Sequence, residues 1–374
     1  MIQHSRLQGP VDFDLHGRVG IRLVDAAPGD ARAVAAQLGP LRSTLNREPD
    51  IVIRFVDRIA HASRLRYLGV DDAAFTDDAF LVLKSKHKVK ARVMIPFQDI
   101  GGRCEIVCES GLPAVPLLIP ILNLTALTRG AVPLHASAFV CDGTGVLVTG
   151  WSKGGKTEAL LAFMSRGAEY LGDEWIYLDP DTQRMFGIPQ PIRLWDWHLR
   201  QLHQYRQRIG WGKRGRLRVL RAAAGVGRGL TEGSWPGMPA RALDRVQALV
   251  QRQTHVDVAP ERLFGPCGTA PRPMDRVFLL ASAAGEEVRA EPIDTAEIAR
   301  RMVYSVLYEL ESFMSYYHMF RFAFPGSTND TIDTTEQRLR AALQRSLEGR
   351  PAHCIYHPYP MCIASLYDAM RPLI

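Results

Sequence analysis

Gly150-Trp151-Ser152-Lys153-Gly154-Gly155-Lys156-Thr157 satisfies the pattern G-x-x-x-x-G-K-[ST] at every fixed position. Each fixed position has a physical task around a bound anion. Glycines let the backbone wrap tightly, so that successive N–H groups point inward at phosphate oxygens. The helix predicted from about Gly155 to Ser165 adds the positive end of its dipole. Lys156 supplies a point charge for the β and γ phosphates of a nucleotide, and the Thr157 hydroxyl can ligate Mg²⁺. The apolar run Gly145 to Thr149 precedes the loop as a strand. Strand, glycine loop and helix in that order are the setting such a loop requires. The sequence therefore predicts a site for a nucleoside triphosphate such as ATP, with Mg²⁺, built on Gly150, Ser152, Lys153, Gly154, Gly155, Lys156 and Thr157.

Downstream of that helix a strand pattern at Tyr170 to Gly172 ends on the acidic pair Asp173-Glu174, and a second strand follows from Trp175 to Leu178. Open α/β sheets gather ligand-binding groups at strand ends. One carboxylate of such a pair can hold Mg²⁺ while the other accepts a proton, and adjacent carboxylates raise each other's pKa. Upstream, His135 opens the apolar run that leads to the loop, in Pro133-Leu134-His135-Ala136-Ser137. By itself a histidine in an apolar strand reads as a core residue with satisfied hydrogen bonds.

The surrounding chain sets the scale. Its 374 residues, 47% hydrophobic and 23% charged, are ordinary for a globular protein and long enough for two domains. Short Val-, Ile- and Phe-rich runs at Val19 to Val24, Asp50 to Val56, Phe80 to Leu83, Ala91 to Phe97 and Cys104 to Val107 predict a mainly β N-terminal α+β region over 1–130, with a helix over Asp30 to Leu38. That region is a candidate for substrate recognition. Residues 131–350 form the expected nucleotide-binding domain, with strands at Leu134 to Val140, Ala248 to Val250 and Arg276 to Ala281, and 351–374 a C-terminal extension. Asp294-Thr295-Ala296-Glu297 and Asp333-Thr334-Thr335-Glu336 both have capping-box spacing and open predicted C-terminal helices. The aromatic series Tyr304, Tyr308, Phe313, Tyr316, Tyr317, Phe320, Phe322 and Phe324 reads as a helix face against the core.

Net charge is +7, and Arg200 to Arg228 alone carries nine basic residues and no acidic one. This basic insertion, placed at 199–231, suits a solvated surface or an acidic partner, but no nucleic-acid module accompanies it. Six cysteines without a CxxC pair, no export signal and no apolar run of spanning length predict a cytoplasmic chain that does not cross a membrane. His353, Cys354, His357 and Cys362 lack the second paired half of a zinc site.

Taken together, His135, the loop and the acidic pair resemble HPr kinase/phosphorylase and its wider kinase relatives. In that family a histidine precedes the first loop glycine by fifteen positions, as His135 precedes Gly150. The loop is similar to the family's G-D-S-G-x-G-K-S-E, with Glu158 matching the final glutamate. The family's Asp-Asp pair falls where Asp173 and Glu174 stand, and Ser165-Arg166-Gly167 looks like its R-G. Trp151 and Lys153 replace small or acidic loop residues, and the R-G-x-G-x-x-N segment of the true HPr enzymes has no counterpart here.

The resemblance covers Leu134 to Leu178. It implies a mixed-sheet α/β P-loop kinase core of the type shared with phosphoenolpyruvate carboxykinases. By that likeness Asp173 is the base for an acceptor hydroxyl, and Lys156 and Thr157 handle phosphate and metal. Glu174 assists Mg²⁺, with Thr157 and Asp173 completing the metal set, and His135 tunes the site. The implied acceptor is a serine of a protein or peptide. A small molecule such as a free amino acid or sugar is the alternative, as is a nucleotide-responsive protein without transfer. A homo-oligomer is compatible with all three.

Overall fold

The computed structural model describes residues 6–60, 64–84, 89–215, 217, 255–359 and 361–374. It is a mixed α/β protein with two large sheets. The expected strand at Ala248 to Val250 and the part of the basic insertion beyond 217 lie outside the described residues.

The first sheet collects β1 (Val11–Leu15), β2 (Val19–Val24), β3 (Ile51–Val56), β4 (Arg66–Leu68), β5 (Ala73–Phe75), β6 (Phe80–Lys84), β7 (Lys90–Met94) and β8 (Cys104–Glu109). Its order is β1-β2-β3-β8-β7-β6-β5-β4, parallel across β2, β3 and β8 and antiparallel elsewhere. Helix α1 (Pro28–Leu38) follows β2. Pro28 fits the first helical position, where no N–H is needed, and Asp30 accepts from the Ala27 N–H at 3.0 Å. β7 stops at Met94, short of the expected Phe97, because Pro96 cannot donate to a ladder and a 3₁₀ turn begins at Phe97.

After β8 the stretch from Gly111 to Thr128 has no charged residue, and it ends in helix α2 (Leu118–Thr128), which is buried along most of its length. Then come β9 (Val132–Cys141), β10 (Thr144–Gly150), α3 (Lys156–Met164), β11 (Glu169–Gly172), β12 (Trp175–Asp179) and β13 (Arg184–Gly187). β14 (Ile192–Trp195) and β15 (His255–Val258) form a separate two-stranded antiparallel sheet, with α4 (Asp196–Gln201) and α5 (His203–Arg208) after β14 and α6 (Pro260–Phe264) after β15. The chain closes with β16 (Arg272–Pro273), β17 (Arg276–Ser282), β18 (Arg289–Pro292), α7 (Thr295–Ala323), α8 (Asp330–Asp333), α9 (Thr335–Leu347), β19 (Ala352–His357) and α10 (Ile363–Met370).

The second sheet runs β16-β13-β12-β9-β10-β17-β19-β18, with β11 also on β9. β10, β17 and β19 are parallel, and β9 is antiparallel to both β10 and β12. Its strands alternate between two apolar clusters with period two. Leu134, Ala136, Leu147, Val277 and Leu279 join the core shared with the first sheet, α2 and α7, whereas Phe139, Val146, Val148, Phe278 and Leu280 face α3 and α10. Covered on both faces, β9 is buried at every position and shows no polar alternation.

Helix α7 spans 29 residues and starts as expected, with Asp294 accepting from the Ala296 N–H at 2.9 Å. The second expected capping box does not form. Asp333 instead accepts from the Tyr317 hydroxyl at 2.9 Å, and no side chain caps α9. The aromatic series divides. Phe313, Tyr317 and Phe320 are core, but Tyr304, Tyr308 and Phe322 are exposed. No helix of the described residues is long and apolar enough to cross a membrane.

Candidate functional site

β10 delivers the chain to Gly150, and α3 starts at Lys156, so the glycine loop sits at the C-terminal edge of the parallel strands. Gly155, just before α3, has φ 101, a conformation that side chains resist. A Cβ there would lie 3.0 Å from Met361 Cε and 3.1 Å from His357 Nε2. The loop's sharp entry into the helix thus needs glycine on both counts.

The acidic pair owes its place to one strand. β11 and β12 both pair with β9, and Asp173-Glu174 forms the corner between them. His135 and Ser137, two residues apart on β9, share a face and meet that corner. Ser137 Oγ donates a short hydrogen bond to Asp173 Oδ1, and His135 Nε2 lies 3.1 Å from Glu174 Oε2. The Ala136 N–H donates to the Glu174 carbonyl at 3.2 Å. These bonds hold Glu174 at φ 73, a strained value for a residue with a Cβ.

From the other side α3 brings Thr157, whose Oγ1 is 3.0 Å from Asp173 Oδ2. Lys156 is buried and folded back on the loop, with Nζ donating to the Trp151 carbonyl at 2.8 Å. Ser152 lies beside the Glu309 carboxylate and helps to lower its pKa, and Lys153 is exposed at φ 63. Glu158 turns away from the acidic pair and accepts from His198 Nε2 at 2.9 Å. His198 Nδ1 accepts from the Trp195 N–H at 3.2 Å, so Nε2 carries the proton.

Burial raises the Asp173 carboxyl from 3.8 to about 6, with the neighbouring Glu174 charge adding to it and Ser137 and Thr157 opposing. Glu174 moves the other way, lowered by its hydrogen bond to His135 despite desolvation. The two adjacent acids are thereby driven apart, one poised near neutrality and one firmly ionised. Desolvation lowers the Lys156 ammonium. For His135 desolvation opposes the charged ring, but the bonds to Glu174 and Glu309 outweigh it and its pKa is raised.

Glu309 is the residue that sequence reasoning missed. It projects from α7, and its Oε1 lies 3.0 Å from His135 Nδ1, off the N–H direction of a well-aligned bond. Helix α7 in fact tracks the loop's first half. Thr149 Oγ1 meets Met302 Sδ at 2.8 Å, Ser305 Oγ donates to Gly150 O at 3.3 Å, and the Trp151 ring lies 5.0 Å from that of Tyr308. With Ser152 beside Glu309, four consecutive residues are matched by one helical stripe. The only sequence signal was the i, i+3, i+6, i+7 spacing of Met302, Ser305, Tyr308 and Glu309 in a helix otherwise read as core.

Among the described residues no cluster of three or more His, Cys, Asp or Glu side chains could hold a metal by itself. The hydroxyl of Thr157 and the carboxylate of Asp173 are two hard oxygens side by side. That sparse set fits Mg²⁺, which takes one or two protein oxygens and completes its octahedron with phosphate and water. Glu174, named with them from sequence, points instead at His135. No protein-family model and no curated protein matches the chain.

Proposed function

We propose that this protein is an ATP- and Mg²⁺-dependent kinase that transfers the γ-phosphoryl group to a hydroxyl, a serine of a protein or peptide, on a P-loop core of the HPr kinase/phosphoenolpyruvate carboxykinase type. The observation that carries this reading is the Thr157–Asp173 contact at 3.0 Å. It places a carboxylate of raised pKa beside the hydroxyl that ends the glycine loop, where the terminal phosphate of a cradled nucleotide would lie.

In this reading the loop amides and Lys156 hold the phosphates, and Lys156 leaves the Trp151 carbonyl to do so. Asp173 accepts the proton of the acceptor hydroxyl as its oxygen forms a bond to the γ-phosphorus. The bond from that phosphorus to the bridging oxygen breaks, and ADP departs with the electron pair. Bound Mg²⁺ supplies neutralisation of the phosphate charge. His135, between Glu174 and Glu309, would add a positive charge beside the acidic corner and act through its field, since both of its ring nitrogens face carboxylates. Such a reaction needs positioning and charge stabilisation more than covalent catalysis.

The test is incubation of the purified protein with γ-labelled ATP, Mg²⁺ and pools of serine-containing peptides, proteins and hydroxyl metabolites. Labelled phosphoester formed by the wild type and absent with Lys156→Ala and Asp173→Asn supports the reading. ATP binding without any labelled acceptor, or label unaffected by both substitutions, rejects it.

A further inference from the structure

His357 ends β19, two strands away from β10 across the parallel part of the sheet. Its side chain is fully buried, with Nε2 2.9 Å from the Gly154 carbonyl oxygen and Nδ1 3.0 Å from that of Pro358. A carbonyl oxygen can only accept, so the ring must donate in any hydrogen bond it makes here: a neutral imidazole with its one proton on Nε2 serves Gly154 alone, and a doubly protonated ring serves both carbonyls.

The geometry of the peptide unit gives that bond a consequence. The unit is planar and trans, so the C=O of Gly154 and the N–H of Gly155 point in opposite directions. Drawing the carbonyl toward His357 aims the amide away from it. Among the described residues nothing accepts from that Gly155 N–H. The preceding peptide is already fixed within the loop, because the Gly154 N–H donates to Trp151 O at 3.0 Å. The Gly154–Gly155 peptide has no such internal bond, and with a glycine on each side almost nothing steric resists its flipping over. Its orientation therefore needs an anchor from outside the loop. The close approach of His357 Nε2 and Met361 to Gly155 shows the same two side chains forming the loop's rear wall.

We propose that His357 is a positioning residue for phosphate binding: its Nε2–H holds the Gly154 carbonyl at the back of the loop and so directs the Gly155 amide at the phosphates of the donor nucleotide. The proposal rests on the nucleotide-binding reading above, and it adds a residue 203 positions from Gly154 in the chain.

The test compares His357→Gln with His357→Asn. The glutamine amide nitrogen reaches about as far as Nε2, whereas that of asparagine matches Nδ1 and stops short of Gly154. Calorimetric titration with Mg²⁺ and a non-hydrolysable ATP analogue is expected to give near wild-type affinity for His357→Gln. His357→Asn should bind roughly tenfold or more weakly, the scale of one lost hydrogen bond whose loss also misdirects a donor to a charged ligand. In the nucleotide-free proteins, the Gly155 amide resonance should move in His357→Asn and stay in place in His357→Gln.

Equal affinity of the two variants, with an unmoved Gly155 resonance, overturns the proposal. So does equal weakening of both, which would mark His357 as packing alone. If the wild type binds no nucleotide, the functional reading fails by itself. The Gly155 resonance then still decides whether His357 anchors the peptide, and an identical position in all three proteins overturns that too.

Discussion

Glu309 Oε1 lies 3.0 Å from His135 Nδ1, across the imidazole from Glu174, whose Oε2 is 3.1 Å from Nε2. A buried imidazole with a carboxylate beside each nitrogen is stabilised in its cationic form: Nε2 donates to Glu174, and the charge of Glu309 adds to it although Nδ1 is not aligned for a hydrogen bond. The two acids come from distant places, one from the corner before β12 and one from the middle of α7. The ring is therefore a joint between the sheet and the helix as well as a charge in the site.

Replacing Glu309 by glutamine removes one of those charges without changing the side chain's size. The titration midpoint of His135, followed by ring-nitrogen NMR, is expected to fall relative to wild type. Because a raised histidine pKa contributes stability below about pH 6.5 that is lost as pH rises through the folded value, the variant should lose more stability at pH 6 than at pH 9. Phosphoryl transfer should drop in kcat by about tenfold with little change in KM for ATP, as one charge-assisted contact is weakened. An unchanged midpoint would mean that Glu309 does not reach the ring in solution.

Asp173 carries the opposite sign. Its folded pKa of about 6 exceeds its ordinary 3.8, so the folded state holds the proton more tightly and this group opposes folding as pH rises. The destabilisation is therefore greatest above the folded pKa and vanishes below the ordinary one. Asp173→Asn is expected to raise Tm at pH 8, to have little effect near pH 4, and to abolish transfer. In the wild type, kcat/KM should fall as pH drops through about 6, because the proposed proton acceptor is lost. A variant no more stable at pH 8 than at pH 4, each relative to wild type, would count against the burial of this carboxylate.

The local grammar of the chain made part of this visible. Glycines at 150, 154 and 155 followed by Lys156 and Thr157 specify a strand-to-helix turn because each has a local backbone reason. The β10-loop-α3 unit was accordingly legible almost to the residue. The acidic pair was readable from its place at a strand end after the loop, but His135 was suspected only through its spacing, since nothing in Pro133-Leu134-His135 says that β9 and β12 will place the ring opposite Trp175. Glu309 and His357 were hidden for a different reason. Their roles depend on how α7 and β19 dock against a loop more than 150 residues earlier, and neither carries a local pattern of its own. Glu158 was readable as a loop neighbour, but its partner His198 was not. The failed capping box at Asp333 shows the same limit, because a tertiary bond from Tyr317 outcompeted a local one.

Trp151 and Tyr308 form an exposed ring pair, 5.0 Å between centroids at 36°, at the mouth of the site. Each ring is about half exposed, so the pair itself is worth no more than about 1 kcal/mol. Tyr308→Ala should change stability by less than that while shifting Trp151 fluorescence to longer wavelength. Addition of Mg²⁺ and ATP analogue should alter Trp151 emission in the wild type. Comparison with Trp151→Phe separates this signal from the other five tryptophans, and a nucleotide response undiminished in that variant would show that the loop does not report binding.

Phe97 tests whether the two sheets behave as one folding unit. Its ring lies within 6 Å of those of Phe80 on β6 and of Phe313, Tyr317 and Phe320 on α7. The backbone carbonyl of Phe97 also accepts from Asn329 Nδ2 at 2.8 Å, so the 3₁₀ turn, α7 and the start of α8 meet at one point. The apolar cluster that contains Phe97 continues without a break into Leu134, Leu147 and Leu279 of the second sheet. Phe97→Ala leaves a cavity in that cluster and should cost about 3–5 kcal/mol. Because α7 also carries the groups that touch Thr149, Gly150, Trp151 and Ser152, the loss should be felt at the glycine loop and not only in the first sheet. Urea unfolding followed by circular dichroism and by Trp151 fluorescence should therefore give coincident transitions, displaced together to lower urea in the variant. Hydrogen exchange should show reduced protection along α7 from Met302 to Phe320 and in β10. A variant in which only the first sheet loses protection, with the Trp151 transition unmoved, would show that α7 is held by the second sheet alone.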